Sequence, residues 1–224
     1  MERSKVMEYI EKYHHHVVPG DDESLYELAI CNVVLGNYTE AQVQFGSSCQ
    51  AMLENSRKFW KLIARTDWPV NTYILSGKKE FLPKVISELD SFKTLPSIGN
   101  APYACSGYGM MNLLLSKSEE LAQCIEVMLK RPRWKDLYAL GQCFKAIDAG
   151  DQLAFETALG TLLKVHEGQA RNGIYKFTAE GFVCMPAMSL AYIALTRNLS
   201  INIKNEKLSL GYVEFVFSNS SINT

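Results

Sequence analysis

The residue types best suited to chemistry in this sequence are four histidines and six cysteines. Three of the histidines form the run His14-His15-His16. Consecutive helical residues point about 100° apart, so the run cannot converge on one metal, which on a helix needs i, i+4 spacing. Because Pro19-Gly20 follow shortly, we interpret the run as a helix end, where imidazoles suit the negative end of the dipole. An incidental or regulatory metal site is the alternative.

The remaining histidine, His166, belongs to no H-E-x-x-H motif, and we expect it to cap or pack at a helix end. Cysteine–histidine catalysis would need a reactive thiol beside an oriented imidazole, and His166 is the imidazole such a site would use. No C-x-x-C pair occurs, and the start of the chain has no apolar stretch of signal-peptide length. We therefore expect a cytoplasmic protein with reduced thiols in its core. The cysteines are Cys31, Cys49, Cys105, Cys124, Cys143 and Cys184.

Motifs for other kinds of site are missing. Gly77-Lys78-Lys79 lacks the upstream glycine and the following Ser or Thr of a phosphate loop, and there is no G-x-S-x-G. The basic cluster at 130–135 is interpreted as cations at a helix C-terminus. With 23 Lys and Arg against 24 Asp and Glu, the net charge is −1, so nucleic acid is not an expected partner. We expect no catalytic residues, no metal and no cofactor.

Acidic residues cluster at two predicted helix starts. A carboxylate there can accept hydrogen bonds from free backbone N–H groups and meets the positive end of the helix dipole. The alternative is a carboxylate patch that binds a basic surface of a partner protein. The candidate partner-binding residues are Asp21, Asp22, Glu23 and Glu27, and the second cluster is Asp148, Asp151 and Glu156.

These residues must be positioned by a globular fold. The chain has 224 residues, 47 % of them apolar and 21 % charged, as expected for one soluble domain with a sizeable core. One largely apolar, uncharged stretch, between Glu180 and Arg197, is 16 residues. A membrane-spanning helix needs about 20, so we expect a buried helix there and no membrane partner.

Apolar residues recur at spacings of three and four through most of the chain, which predicts amphipathic helices. Gly36, Gly77 and Gly150 stand where helices should end, and prolines such as Pro69 and Pro132 mark breaks. The predicted fold is all-α, with nine to ten helices in antiparallel hairpins. It is an irregular bundle with turns like those of tetratricopeptide repeats, in a single domain 1–224 with a possible joint near 94–109. The predicted helices are 2–16, 22–35, 38–65, 79–92, 103–115, 118–130, 134–149, 152–166, 179–197 and 205–216.

Two short segments also fit strands. Residues 201–203 alternate over three positions only, and 212–217 is β-branched and aromatic. We favour helix for the second segment. The spacings Asn37-x-x-Glu40 and Ser116-x-x-Glu119 are those of capping boxes.

The C-terminal third carries a family resemblance. A helix ends at His166, Glu180-Gly181 form an acidic-glycine step, and a helix of small and apolar residues spans 186–195 before Asn198 and Ser200. This order resembles the immunity protein 49 family of bacterial polymorphic-toxin systems over about 60 residues. Asn198 stands where a glycine is common in that family, and Ser200 where a proline is common.

The resemblance implies an all-α protein without catalytic residues that binds and blocks one cognate toxin made by the same cell or its kin. The alternatives are a general helical-hairpin scaffold that binds a peptide or subunit, and an enzyme that uses a cysteine with His166. The sequence does not predict an oligomeric state. Aromatic side chains often anchor protein interfaces, but for Trp60, Trp68 and Trp134 we expect core packing.

Overall fold

The computed structural model of this chain describes residues 2–13, 21–54, 67–93 and 103–222. Eleven α-helices lie in these ranges and no β-strand does, which confirms the predicted all-α bundle. The α-helices are α1 (Glu2–Tyr13), α2 (Asp22–Leu35), α3 (Tyr38–Glu54), α4 (Asp67–Ser76), α5 (Leu82–Lys93), α6 (Ala104–Leu114), α7 (Ser118–Leu129), α8 (Lys135–Asp148), α9 (Gln152–Asn172), α10 (Met185–Thr196) and α11 (Leu210–Asn219). Single 3-10 turns span Lys79–Phe81 and Ala179–Gly181.

Several predictions fall on residues that the structure does not describe. These are the histidine run at 14–16, residues 55–65 of a predicted helix, Trp60, and the 94–102 part of the possible joint. In the rest of that joint Tyr103 is exposed, and residues 104–109 belong to α6 and are buried.

The residues at the two ends of α2 account for the first helical hairpin, formed by α2 and α3. Asp21 precedes α2 and its carboxylate accepts a hydrogen bond from the backbone N–H of Ser24 at 2.9 Å, as a helix cap should. Gly36 ends α2 with a φ of 83°, which glycine adopts without strain. With only Gly36 and Asn37 between them, α2 and α3 pack on each other as a hairpin.

The helix α4 is absent from the predicted helices, because Pro69 is interpreted there as a break. Pro69 is the third residue of α4, within the first turn, where a missing N–H costs no hydrogen bond. Every residue from 68 to 76 is buried, so the sequence shows no apolar stripe of the kind that marks a surface helix.

Other helix ends differ from the predicted ones. The helix α9 continues past His166 to Asn172, and the predicted helix 179–197 is a 3-10 turn followed by α10. Residues 201–205 are irregular, and the favoured helix over 212–217 is confirmed within α11.

Neither of the two spacings, Asn37-x-x-Glu40 and Ser116-x-x-Glu119, forms a capping box. Ser116 has a φ of 59° and lies in the turn after α6, where its hydroxyl accepts a hydrogen bond from Arg197, and Lys117 precedes α7. Glu40 accepts a hydrogen bond from the side chain of Gln44 one turn later.

The core is centred on α4 and α10. Both helices are buried around almost their whole circumference. The helix α4 packs against α3, α5, α6, α10 and α11, while α10 also packs against α6, α8 and α9. A buried cluster extends from Val6 in α1 to Val216 in α11.

The C-terminal end of α4 is tied to the residues that follow α11. The carbonyl of Gly77 accepts hydrogen bonds from the backbone N–H of Ser221 at 3.0 Å and from the hydroxyl of Ser220 at 3.1 Å. The hydroxyl of Tyr192 in α10 donates to Ser220 at 2.9 Å. Three segments far apart in sequence therefore meet at one turn.

Candidate functional site

A cavity of about 380 Å³ lies between α2, α4, the start of α6, α8, α9 and the segment 174–186. Three carboxylates line it: Asp67 at the start of α4, Asp136 at the start of α8, and Glu180 in the second 3-10 turn. Among the described residues that line this space there is no lysine or arginine. We call it the acidic cavity.

The carboxylate of Glu180 is held in a fixed place. Its Oε1 accepts a hydrogen bond from the indole N–H of Trp68 at 2.9 Å and one from the hydroxyl of Tyr26 at 3.3 Å. The rings of Tyr26 and Trp68 pack on each other with their centroids 5.2 Å apart. Trp68 is buried, as predicted for it, and its indole also orients a carboxylate of the cavity wall.

Gly181, next to Glu180, allows two segments of the cavity wall to pack closely. A Cβ on Gly181 would lie 2.3 Å from the carbonyl oxygen of Tyr175, closer than any side chain allows. Glycine at this position therefore lets the segment 174–178 fold back against the 3-10 turn. Tyr175 and Thr178 of that segment line the cavity as a result.

The other two carboxylates act on a tyrosine at the edge of the cavity. Burial raises the pKa of the Tyr103 hydroxyl, and the negative charges of Asp136 and Asp67 raise it further. Both carboxylates are thus close enough to Tyr103 to influence it electrostatically, although they come from different helices.

Two buried side chains on the cavity wall have polar atoms without a hydrogen-bond partner. Asn71 in α4 is 0 % exposed, and neither its amide nitrogen nor its amide oxygen is bonded. His166 in α9 is 6 % exposed, and its Nε2 is unbonded. Each such atom costs about 1–3 kcal/mol relative to a bonded one, so their presence on one cavity calls for an explanation.

The state of His166 follows from its surroundings. Burial lowers its imidazole pKa to about 4, with the positive charge of Lys207 acting in the same direction. The ring also hydrogen-bonds to the backbone of Glu180, which we assign to Nδ1–H because Nε2 is unbonded. The imidazole is therefore neutral at pH 7, and Nε2 is a hydrogen-bond acceptor. His166 packs in the wall, as predicted, but α9 continues six residues beyond it.

Four exposed apolar side chains surround this region, and we call them the apolar rim. Tyr103 and Trp134, 39 % and 42 % exposed, stack on each other with centroids 5.3 Å apart. Ile174 and Phe177, 72 % and 75 % exposed, lie on the segment that borders the cavity. The prediction of core packing for Trp134 is wrong, because the turn 130–134 that carries it lies on the surface.

The predicted acidic patch is only partly available at the surface. Asp21 caps α2, and Asp22 is buried with its Oδ2 unbonded. Burial raises the pKa of the half-buried Glu27 carboxyl, which accepts a hydrogen bond from Tyr9. Glu23 is exposed. That these four residues bind a partner stays a prediction.

The second acidic cluster and the basic cluster have structural roles. Asp151 caps α9 by accepting a hydrogen bond from the N–H of Ala154 at 3.0 Å. Asp148 ends α8, so its prediction at a helix start is wrong. Arg131 donates to the carbonyl of Val127 at 2.7 Å, which confirms a cation at a helix C-terminus.

All six cysteines are free and buried. Cys184 lines the acidic cavity together with His166, but burial raises the pKa of its thiol to about 12. The thiol and the imidazole are therefore both neutral at pH 7, unlike an activated thiolate–imidazolium pair. A hydrogen bond with Cys124 lowers the pKa of Cys105, which is equally buried.

Comparison of the chain with protein-family models, with curated proteins and with solved structures gives no match. Within the ranges described above, no helix is long and apolar enough to cross a membrane, and no group of three or more His, Cys, Asp or Glu is placed to hold a metal ion.

Sequence reasoning did not find the acidic cavity, since its lining residues come from elements far apart in the chain, from α2 to the start of α10. One feature of the sequence could have indicated it. Asn71 is a polar residue in the centre of the otherwise largely apolar run 68–75, and a buried asparagine normally has a hydrogen-bond partner.

Proposed function

We propose that this chain is a cytoplasmic immunity protein that neutralises a cognate bacterial toxin by binding it at the apolar rim. The proposal is supported by the resemblance of the C-terminal third to the immunity protein 49 family. The rim is the observation that carries the binding surface. Tyr103 and Ile174 line the acidic cavity, Trp134 stacks on Tyr103, and Phe177 is an exposed side chain of the segment 174–178.

The composition of the rim is that of a protein interface. Binding energy concentrates in aromatic anchors such as tryptophan and tyrosine, and Trp134 and Tyr103 are already held against each other. Rigid aromatic rings lose little conformational entropy on binding. The carboxylates behind them make the partner's complementary surface basic. A specific complex here would bury about 1,200–2,000 Å² in total.

The test begins with recovery of the partner from native cells in high salt and its identification by mass spectrometry. The candidate partner is then expressed in a bacterial host, alone and together with this chain. Toxicity of the partner alone, and growth when this chain is present, support the proposal. A captured protein that is harmless alone contradicts it and favours the general scaffold.

Matched substitutions then test the surface. Phe177→Asp and Leu153→Asp place the same charge on side chains of nearly equal exposure, 75 % and 74 %, but Leu153 lies in the first turn of α9, away from the rim. We expect Phe177→Asp to weaken toxin binding by about 30-fold or more, as for a hot spot worth 2 kcal/mol, and to abolish protection. Leu153→Asp should retain both. Equal behaviour of the two variants would place the interface elsewhere.

A further inference from the structure

Two of the six buried thiols lie against each other. Cys105 is the second residue of α6 and Cys124 lies in the middle of α7, and these helices pack together with only residues 115–117 between them. A hydrogen bond joins the two cysteine side chains. We propose that they form a redox-sensitive pair, which a peroxide oxidises to a disulfide that links the first turn of α6 to α7. This inference concerns the chain alone and does not rest on the toxin proposal.

Cys105 has the surroundings of a reacting thiol. The hydrogen bond from Cys124 lowers the pKa of its thiol against the opposing effect of burial, and the positive charge of Arg131 lowers it further. Its place in the first turn of an 11-residue helix also brings it to the positive end of the helix dipole. Both a nearby cation and a helix N-terminus favour the thiolate, which is the form that a peroxide oxidises.

Cys124 is suited to the second step. Its hydrogen bond with Cys105 raises the pKa of its thiol, and burial raises it further, so Cys124 keeps its proton while Cys105 reacts. A sulfenic acid formed on Cys105 then has a second thiol in contact with it. That contact favours condensation to a disulfide over further oxidation of the same sulfur.

The reaction balances with hydrogen peroxide as the oxidant. The thiolate of Cys105 attacks one peroxide oxygen and the O–O bond breaks. The leaving hydroxide takes up the proton that the Cys105 thiol released, which gives water and a sulfenic acid. The sulfur of Cys124 then attacks the sulfur of Cys105 and the S–O bond breaks, so that the hydroxyl leaves as a second water with the proton of Cys124. Two electrons pass from the pair of thiols to the peroxide.

The oxidant reaches the pair when the first turn of α6 opens. Both thiols are buried, but helix ends open more readily than helix centres, and hydrogen peroxide is a small molecule. The two sulfur atoms of a disulfide are about 2.05 Å apart, closer than two hydrogen-bonded thiols. Cys105 must therefore move toward Cys124, and its place at the start of α6 lets it do so without displacing the centre of the helix.

A second pair of neighbouring thiols is a matched control. Cys143 in α8 and Cys184 just before α10 are both fully buried. Burial raises the pKa of both thiols, and the charge of Cys184 raises that of Cys143 further. At Cys105, in contrast, the hydrogen bond from the neighbouring thiol outweighs burial. We therefore expect Cys143 and Cys184 to stay reduced under conditions that oxidise the proposed pair.

The test treats the native chain with hydrogen peroxide, unfolds it, alkylates the remaining thiols with N-ethylmaleimide and maps the disulfides by mass spectrometry after tryptic digestion. Cleavage after Lys117 places Cys105 and Cys124 in separate peptides, 94–117 and 118–130. We expect these two peptides to be joined and the other four cysteines to be alkylated. Dithiothreitol should restore six alkylated cysteines, and oxidation in denaturing urea should give a mixture of pairings.

The stability of the oxidised chain provides a second measurement. A disulfide that closes a loop of this length increases the folding equilibrium constant by about 100-fold, so the urea midpoint should rise on oxidation. Cys105→Ser should abolish both the disulfide and the rise, whereas Cys143→Ser should keep both. No disulfide in the native chain, a disulfide between other cysteines, an unchanged midpoint or equal behaviour of the two variants would overturn the proposal. The peptide map of the wild-type chain needs no variant, so it decides the pairing even if a variant fails to fold.

Discussion

A close approach between two core helices, α6 and α8, provides a sharp test of the packing. Gly109 in α6 faces Phe144 in α8, and a Cβ added to it would lie 2.0 Å from one ring carbon, 2.6 Å from a second and 2.9 Å from a third. Normal carbon–carbon contacts are about 3.5–4.0 Å. Gly109→Ala therefore forces α6 and α8 apart by about 1.5 Å or drives the buried ring into a strained rotamer.

The size of the effect follows from two opposing terms. Overpacking of a buried site costs about 1–3 kcal/mol, and the overlap here places the cost near the upper end because Phe144 is fully buried. Alanine in a helix interior recovers about 1 kcal/mol relative to glycine. We expect a net loss of about 2 kcal/mol in the free energy of unfolding and a fall in Tm of about 4–8 °C.

The assay is urea denaturation followed by circular dichroism, with Gly160→Ala as the matched control. Gly160 is also inside a helix, α9, but among the described residues the nearest atom to its added Cβ is a carbon of Ile203 at 4.0 Å. That variant should gain about 0.5–1 kcal/mol. In addition, Phe144→Leu should relieve the Gly109→Ala clash, so the double variant loses less than the sum of the single losses. If Gly109→Ala stabilised the protein as Gly160→Ala does, the close contact between α6 and α8 would be refuted.

Three further predictions concern polar groups in the core. Asn71→Leu should raise or preserve the urea midpoint, because it removes an unbonded buried amide. Asn32→Leu should lower the free energy of unfolding by about 1–3 kcal/mol, because Asn32 donates a hydrogen bond to Gln44 at 2.9 Å; equal losses in the two variants would show that Asn71 is bonded as Asn32 is. In the folded state the pKa of His166 is about 4, below its usual value of 6.5, so the unfolded state binds the proton more tightly. The free energy of unfolding should therefore fall by roughly 3 kcal/mol as the pH drops from 7 to 4. His166→Phe should remove that part of the decline in urea midpoints, and an unchanged pH profile would refute the assignment. Iodoacetamide at pH 7 should label all six buried thiols only as fast as the chain opens, including Cys184; one thiol that reacts rapidly in the native protein would instead support a cysteine-based enzyme.

The amphipathic hairpins could be predicted from the sequence because each has local signals. Asp21 caps the start of α2 and Gly36 closes its end. In α7 and α8 the polar face is visible in the spacing of the apolar residues. The central helices gave weaker signals. The helix α4 is buried on all sides and begins with a proline in its first turn, so both its periodicity and its start were obscured.

The acidic cavity depends on contacts that no local pattern records. Asn71 and His166 come together only because α4 and α9 pack around the same space. The exposure of Trp134 was also unpredictable from residue type, because tryptophan is usually well buried and its position in the turn 130–134 depends on where α7 ends.

The bonds between Gly77 and residues 220–221 have a consequence for the way the chain acquires its structure. During synthesis, α4 emerges well before α10 and α11, which cover it, and before the serines that close its end. Until those segments arrive, the apolar side chains of α4 lack part of their native cover, which makes an incomplete chain prone to aggregate. Because these contacts join residues about 140 positions apart, closing them also carries a large loop-entropy cost. We therefore expect the packing of α4 to be completed only once residues 220–221 have been made, and folding to be slower than in a helical bundle of purely local hairpins.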